Sequence, residues 1–349
     1  MHSSFMLEAL DEAKRFRGYC APNPSVGAIA VRGQDVLARA AHQGAGTPHA
    51  EINLLNQLEG DLSDVRLYVT LEPCNHWGRT PPCVKQIIER NVSQIIYGFA
   101  DPNPVVKQND TPKILRENGI EVIHFPMPEI DQFYQSYHYW THHHRPWVTA
   151  KMAISLDGRI ANKGNQPFQL SNELCRTHTH LHRDSSDIIL TSAATILADD
   201  PLLNVRINEK ETSKPLAVVD SDLSVPKVAK AIQAAKIVLQ FHQPEATVAS
   251  AVTKHHFSVP KNQFGLDMDA VIRLIGEQGY HDVWVEAGGK LFSYLHQHKL
   301  VQTTYLYVSP HVLGNQAISA FSDMPNWTEE KPVVNWQIMD DNAILRLDW

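Results

Sequence analysis

The sequence predicts an α/β protein built as two domains that meet near residue 145. Three observations carry this. At 349 residues the chain is too long for one ordinary core and fits two domains of about 150 to 200 residues each. Short apolar segments with strand periodicity alternate with amphipathic helical segments along most of its length. No apolar run approaches membrane-spanning length, and 43% hydrophobic with 20% charged residues is an ordinary globular composition.

In the first half, Met6, Ala9, Leu10 and Ala13 recur at helical spacing within residues 4 to 16, with Ser3 or Ser4 available as cap. APNPSVGAIAV at 21 to 31 reads as a proline-bounded turn running into a buried strand, and a second strand spans about Val36 to Ala41. Pro48 precedes a helix from about His49 to Leu58 that buries Ala50, Leu54, Leu55 and Leu58. Val65 to Leu71 alternates as a strand and delivers Glu72, Pro73 and Cys74 at its C-terminal end; Cys83 begins another helix. Ile95 to Gly98 is a short strand leading into the loop ADPNPVV at 100 to 106. Residues 126 to 146 carry Phe133, Tyr134, Tyr137 and Trp140 at roughly helical spacing, a stripe expected to pack between the domains. The run His142 to His144 has no acidic or thiol partner beside it and reads as solvated rather than chelating.

The second half opens with an alternating strand and a turn at Asp157-Gly158 within residues 147 to 161. A helix from about Ser171 to Arg183 is expected to take Ser171 as cap and to bury Leu174 and Leu181. Core strands at 187 to 191, 216 to 220, 235 to 240 and 282 to 286 alternate with helices near 226 to 234 and 268 to 278, the order of a mostly parallel sheet. Val285 to Gly289 is a strand, a tight turn and a helix start; its two glycines mark either a simple strand-to-helix turn or a close approach of backbone to a phosphate.

Charge and cysteine usage narrow the function. A formal net charge of −7 without a basic stripe argues against a nucleic-acid polymer as substrate. Cys20, Cys74, Cys83 and Cys175 are few for this length, and Glu8, Asp11, Glu12 and Lys14 interrupt the apolar run that a signal peptide would need. Both features point to the cytoplasm.

The chemistry concentrates between His49 and Cys83. HAE at 49 to 51 and TLEPCNHWGRTPPC at 70 to 83 supply one imidazole and two thiols, with the Glu51 carboxylate two residues past the first of them. That is the inventory of a catalytic zinc site, where three protein ligands leave a fourth position for water and the metal lowers the water's pKa towards neutrality. One His and two Cys are more often core residues, and a structural zinc is usually closed by four side chains. Here a carboxylate beside three ligands favours catalysis, with Glu51 as base rather than ligand. His76 lies in the same stretch, but Cys74 and Cys83 already complete the three-ligand count. The nucleobase-deaminase signature H-x-E followed by P-C-x-x-C fits at His49, Glu51 and Pro73-Cys74, except that eight residues, NHWGRTPP, separate the cysteines.

With this longer insert the sequence resembles the bifunctional enzymes of riboflavin biosynthesis, in which a diaminohydroxyphosphoribosylaminopyrimidine deaminase is fused to a 5-amino-6-(5-phosphoribosylamino)uracil reductase. The resemblance covers nearly the whole chain. It implies a cytidine-deaminase-like domain over 1 to 145 that uses zinc, and a dihydrofolate-reductase-like domain over 146 to 349 that uses NADPH. In the first, Asn23 and His42 would hold the pyrimidine, Asp101 and Asn103 the ribose, and His76, Arg79 and Thr80 the phosphoribose side. In the second, the likeness lies in residues 147 to 161, 191 to 206 and 283 to 295. Ala153, Thr195, Asp199, Ser221 and the run Gly288, Gly289, Lys290, Leu291, Phe292, Ser293 and Tyr294 would contact the cofactor. Lys151, Arg183, Leu203, Arg206 and Glu286 would contact the substrate, and guanidinium forks such as Arg183 and Arg206 are the best holders of a phosphomonoester.

The chain departs from the family pattern at two loops. VVKQNDTPKIL stands where a glycine-rich VxGxG turn is usual, so Lys107 to Thr111 must turn without glycines. Pro167-Phe168-Gln169-Leu170 stands where many members have Ser-x-Trp, so Phe168 is the candidate replacement for cofactor stacking. The reactions implied are hydrolysis of the exocyclic amine of 2,5-diamino-6-ribosylamino-4(3H)-pyrimidinone 5′-phosphate, then NADPH-dependent reduction of its ribose to a ribityl chain. The alternatives are a nucleoside or tRNA deaminase with an unrelated second domain, and a zinc-stabilised binding module whose second domain is inactive. The expected partners are the small phosphoribosylaminopyrimidine and further copies of the chain, with neither nucleic acid nor membrane.

Overall fold

The structure is a computed structural model that describes residues 2–75, 82–107, 110–162, 168–321 and 331–349. The chain divides into two compact units, Met1–His144 and Arg145–Trp349. No described helix is long and apolar enough to cross a membrane.

The first unit holds a five-stranded sheet in the order Asp35–Ala41, Gly27–Arg32, Val65–Leu71, Gln94–Phe99, Glu121–His124. The first three strands pair antiparallel and the last two are added parallel. Alternation on the central strand sends Val65, Leu67 and Val69 to one face, where they pack with the helices Ala50–Leu55 and Cys83–Glu89. Tyr68 faces the other side, towards the helices His2–Lys14 and Pro128–His143. The first of these helices lies so close to the sheet that a Cβ at Gly27 would stand 2.0 Å from the Ala9 carbonyl oxygen. Only glycine permits that approach.

The aromatic stripe of residues 133 to 140, expected between the domains, is built into this unit's own core instead. Ile130, Tyr134 and Tyr137 fall on one face of the Pro128–His143 helix and are buried against the sheet. The Tyr134 hydroxyl donates to the Ser25 carbonyl at 2.9 Å and accepts from Thr70 Oγ1 at 2.6 Å, while Thr70 Oγ1 itself accepts the Gly27 N–H at 3.1 Å. Of the glycine-free turn at Lys107 to Thr111, residues 108 and 109 lie outside the described residues; Asp110 stands at φ 35, and its side chain caps the Thr111–Glu117 helix by accepting the Lys113 N–H. Asp is among the few residues that enter this region readily, because its short polar side chain bonds locally.

The second unit holds a nine-stranded sheet among the described residues, ordered His256–Ser258, Ile237–His242, Pro215–Val219, Ile188–Ser192, Asp282–Glu286, Trp147–Ser155, Thr303–Ser309, Asn342–Asp348, Val333–Met339. All neighbours from the first strand to the seventh are parallel, and an antiparallel hairpin ends the sheet. The mostly parallel α/β order expected from the sequence is therefore present.

The helix expected from Ser171 differs from expectation in its cap and its buried face. It spans Glu173–Ser185, and Asn172 caps it by accepting the Cys175 N–H. Leu174 and Leu181 are 49% and 52% exposed, whereas Cys175, Thr179, His180 and Arg183 are buried. The rotation follows from Arg183, which turns inward to a carboxylate at a strand end, so the polar face with partners is the one that meets the sheet.

Candidate active sites

His49 is the N-cap residue of the Ala50–Leu55 helix, shorter than the helix expected to Leu58, and Glu51 sits in its first turn. Cys74 follows the Val65–Leu71 strand, and Cys83 opens the Cys83–Glu89 helix. His49 Nδ1 lies 3.4 Å from Cys74 Sγ and 3.3 Å from Cys83 Sγ, and the three donor atoms all fall within 4.8 Å of one another. Hydrogen bonding between the two thiols lowers the pKa of Cys74 and raises that of Cys83. An imidazole and two convergent thiol sulfurs at this spacing fit zinc, with metal–ligand bonds of about 2.0 to 2.3 Å. Glu51 is 4% exposed; burial, then the charge at Cys74, pushes its carboxyl up to about 7.

A cavity of about 290 Å³ joins this cluster to the residues expected to hold a pyrimidine and a ribose. His49, Glu51, Cys74, Asn23, His42, Asp101 and Asn103 all line it. His42 Nδ1 is 3.1 Å from the Pro48 carbonyl, which can only accept, so Nδ1 carries the hydrogen and Nε2 accepts from Asn23 Nδ2 at 3.0 Å. The Asn23 amide is thereby set with its nitrogen on His42, and Asn23 lines the cavity. Asp101 Oδ1 accepts from the Asn103 N–H at 2.9 Å and from the Tyr137 hydroxyl at 3.1 Å, and the Asp101 N–H donates to Glu72 Oε2 at 3.2 Å. Glu72, Thr47, Tyr137 and Trp140 line the cavity without having been expected there. For the two aromatics the signal was the helical stripe, which marks burial without saying against what. His76, Arg79 and Thr80 lie outside the described residues.

In the second unit a cavity of about 820 Å³ lies at the C-terminal ends of the parallel strands, where open α/β sheets take their ligands. It brings together Lys151, Ala153, Thr195, Asp199, Glu286 and Gly288, with Phe168 on its rim. Lys151 and Glu286 are register partners on adjacent strands, and Lys151 Nζ stands 4.9 Å from the Tyr307 ring centre. Arg183 gives Nε and Nη2 to the two oxygens of Glu286 at 2.5 and 2.9 Å and Nη1 to the Asn204 carbonyl at 2.8 Å. Trp284 Nε1 adds a further bond to Glu286 at 2.8 Å. Burial pushes the Glu286 carboxyl up, but the Arg183 charge and fork outweigh it and hold it at about 2. Lys151 is lowered, chiefly by burial.

The remaining expected contacts of this unit lie outside the cavity lining. Arg183 stands behind Glu286 with three of its donors engaged, so it supports the pocket wall. Leu203 is buried at φ 48; Arg206 is exposed, with its N–H on His180 Nδ1 at 3.0 Å and Nη1 on Asn204 Oδ1 at 2.5 Å. Ser221 follows the Pro215–Val219 strand. Gly289 to Tyr294 begin the Gly289–Gln297 helix, but Phe292 and Tyr294 are buried in the unit's main core. The side chains of these two residues pack in the core, because helical periodicity turns them to the sheet. Gly289 is held to glycine by packing too: a Cβ there would stand 2.9 Å from the Ala320 carbonyl oxygen, while around Gly288 the space is open. Phe168 meets His311 edge-on at 5.0 Å.

Both units have counterparts among known proteins. A family described as "Cytidine and deoxycytidylate deaminase zinc-binding region" matches residues 1–99, and one described as "RibD C-terminal domain" matches residues 146–342. The riboflavin biosynthesis protein RibD of Escherichia coli (strain K12) is 32% identical over 326 residues, 90% of this chain and 89% of that protein. Acinetobacter baumannii RibD superposes with a TM-score of 0.87 at 27% identity over 99% of this chain and 98% of that one. A Thermotoga maritima protein described as a diaminohydroxyphosphoribosylaminopyrimidine deaminase/5-amino-6-(5-phosphoribosylamino)uracil reductase gives 0.86 at 28% identity, with the same coverage.

Proposed function

The chain belongs to the RibD family of bifunctional riboflavin-biosynthesis proteins, and from that premise we propose that residues 1 to 145 carry its deaminase and residues 146 to 349 its reductase. The first activity hydrolyses the exocyclic amine of 2,5-diamino-6-ribosylamino-4(3H)-pyrimidinone 5′-phosphate, and the second reduces the ribosyl chain to ribityl with NADPH. The observation that carries this reading is the convergence of His49, Cys74 and Cys83 beside buried Glu51.

His49, Cys74 and Cys83 would hold zinc, which when bound would supply the Lewis acidity that makes a water nucleophile available near neutral pH. Glu51 is the proton carrier: a carboxylate buried beside the metal-binding side chains, it can take a proton from the attacking water and return it to departing ammonia. Asn23, oriented by His42, offers an acceptor to the N–H edge of the base. In the second unit Ala153, Thr195, Asp199 and Gly288 line the cavity that would hold NADPH, which when bound would supply the hydride for the ribosyl carbon. Glu286 stays ionised in the grip of Arg183, and Lys151 presents N–H donors to the deaminated base.

Incubation with the phosphoribosylaminopyrimidine, with and without NADPH, followed by mass spectrometry tests both assignments. Exchange of NH for O is expected without NADPH and the gain of two hydrogens with it. An unchanged amine would reject the first site and an unreduced ribosyl chain the second.

We also infer that the chain self-associates. Among the described residues the outermost strand, Val333–Met339, leaves Trp336 59% and Ile338 75% exposed, and an apolar edge strand is a template for pairing with another chain. A sedimentation experiment giving a monomer at micromolar concentration would reject this. Four free thiols, two of them at the metal cluster, suit a reducing compartment, and we take the cytoplasm as the site of action, to be checked by cell fractionation.

A further inference from the structure

Glu51 and the metal-binding side chains work from one side of the first cavity, and Tyr137 and Trp140 form the wall across it. His49 and Cys83 come from the helical layer that packs with Ala50, Leu54 and Val84 on one face of the sheet. Tyr137 belongs to the layer on the opposite face, with Phe5, Met6 and Ile130, and Trp140 packs against that layer. His49, Tyr137 and Trp140 nevertheless line one cavity. It therefore bridges the two layers at the strand ends, where Cys74 and Asp101 follow neighbouring parallel strands.

The chemistry of the cavity changes from one wall to the other. The reacting amine has to lie at Glu51, so the phosphoribosyl arm extends away from it. On the far wall Tyr137 and Trp140 are nearly parallel, with ring centres 6.3 Å apart at 22°. The Tyr137 hydroxyl donates to the same Asp101 oxygen that accepts the Asn103 N–H. A flat apolar face next to a fixed carboxylate and an amide suits a sugar, whose C–H face needs apolar cover and whose rim carries hydroxyl donors.

We propose that Trp140 and Tyr137 are specificity-determining residues of the deaminase: Trp140 packs its indole on the ribosyl ring, and Tyr137 positions Asp101 to accept from the sugar hydroxyls. This rests on the deaminase assignment above. It gives the last helix of the first unit a part in substrate selection, and it explains an aromatic stripe that runs past the residues needed to fill the core. Ile130 and Tyr134 are fully buried, whereas Trp140 is only half-buried at the cavity.

The test uses the full chain with zinc bound and the variants Trp140→Ala, Trp140→Phe and Tyr137→Phe. Deamination is followed for KM and kcat, and ribose 5-phosphate, which carries the sugar arm without the base, is titrated as an inhibitor of that reaction. Zinc content and NADPH-dependent reduction of the deaminated compound verify that each variant is folded. In Trp140→Ala, both KM and the inhibition constant of ribose 5-phosphate should rise about tenfold, the loss of one well-packed aromatic contact, with kcat little changed. Trp140→Phe should restore most of that, and Tyr137→Phe should weaken the same two quantities by a smaller factor. A higher KM with an unchanged ribose 5-phosphate constant would put the indole on the base and overturn the proposal. Unchanged constants in all variants, or a fall in kcat alone, would overturn it as well. A wild-type chain that does not deaminate would fail the underlying assignment and this one with it, whereas an active wild type with unaltered variants fails this one alone.

Discussion

Replacing Arg183 by Met should destabilise the second unit by about 3 to 5 kcal/mol at neutral pH, the usual cost of leaving one partner of a buried ion pair alone. The structure supplies an independent figure. Glu286 is held at about 2 against an ordinary 4.5, a difference worth about 3 kcal/mol. In the wild type that contribution is fully present above pH 4.5 and is lost only as the pH falls through about 2. In Arg183→Met the sign should reverse, because burial is the largest single influence on the carboxyl and, with the Arg183 charge and fork gone, only Lys151 and Trp284 still lower it, so the carboxyl should rise above 4.5. The penalty is then complete above the raised value and fades as the pH falls through it towards 4.5. Urea unfolding of both proteins at pH 8 and pH 5 should therefore give a gap that narrows on acidification. Removing both charges, in Arg183→Met with Glu286→Gln, should cost less than Arg183→Met alone. A gap below about 1 kcal/mol, or one of equal size at both pH values, would refute the ion-pair reasoning.

Three further outcomes are expected. Glu51→Gln should retain zinc by metal analysis and lose deamination by a factor of about 100 or more, since the amide is nearly isosteric but cannot carry the proton; near wild-type turnover would remove Glu51 from that role. Lys151→Met should lose the reductase's preference for the deaminated over the aminated compound, because an ammonium only donates and deamination turns an amino donor into a carbonyl acceptor. NADPH oxidation with each compound measures this, and a preserved preference would end the gatekeeping idea. Gly27→Ala should lower the stability of the first unit by roughly 3 kcal/mol in a thermal melt, because its Cβ would overlap the Ala9 carbonyl; an unshifted melt would mean that the His2–Lys14 helix can move away freely.

What the sequence disclosed and what it hid divide along the range of the interactions. The metal cluster was legible because its donors come from a short stretch with a fixed order of helix start, strand end and helix start. Helix faces were legible where burial is apolar, as at Met6, Ala9, Leu10 and Ala13. The Glu173–Ser185 helix was misread because its inward face is set by Arg183 meeting Glu286, 103 residues away. Periodicity saw leucines and could not see a carboxylate. Tyr137 and Trp140 were seen as buried aromatics, but helical spacing does not distinguish a domain contact from a pocket wall. The turn at Asp110 was recognisable only as a place where glycine was missing; that an Asp could supply both the positive φ and the helix cap is a matter of local geometry.

The two adjacent glycines of the second cavity differ in how much change they tolerate. Gly288 has open space around it, so a residue placed there is a handle for re-shaping the cavity it lines. Gly289 presses on the backbone of Ala320, and the Ile318–Ser319 strand just before it pairs with Arg159–Ala161 to form one side of the cavity, with Ile318, Ile160 and Ala161 on its lining. A side chain at Gly289 would act first on that backbone, so a loss of NADPH binding in such a variant would report a displaced cavity wall as readily as a lost contact.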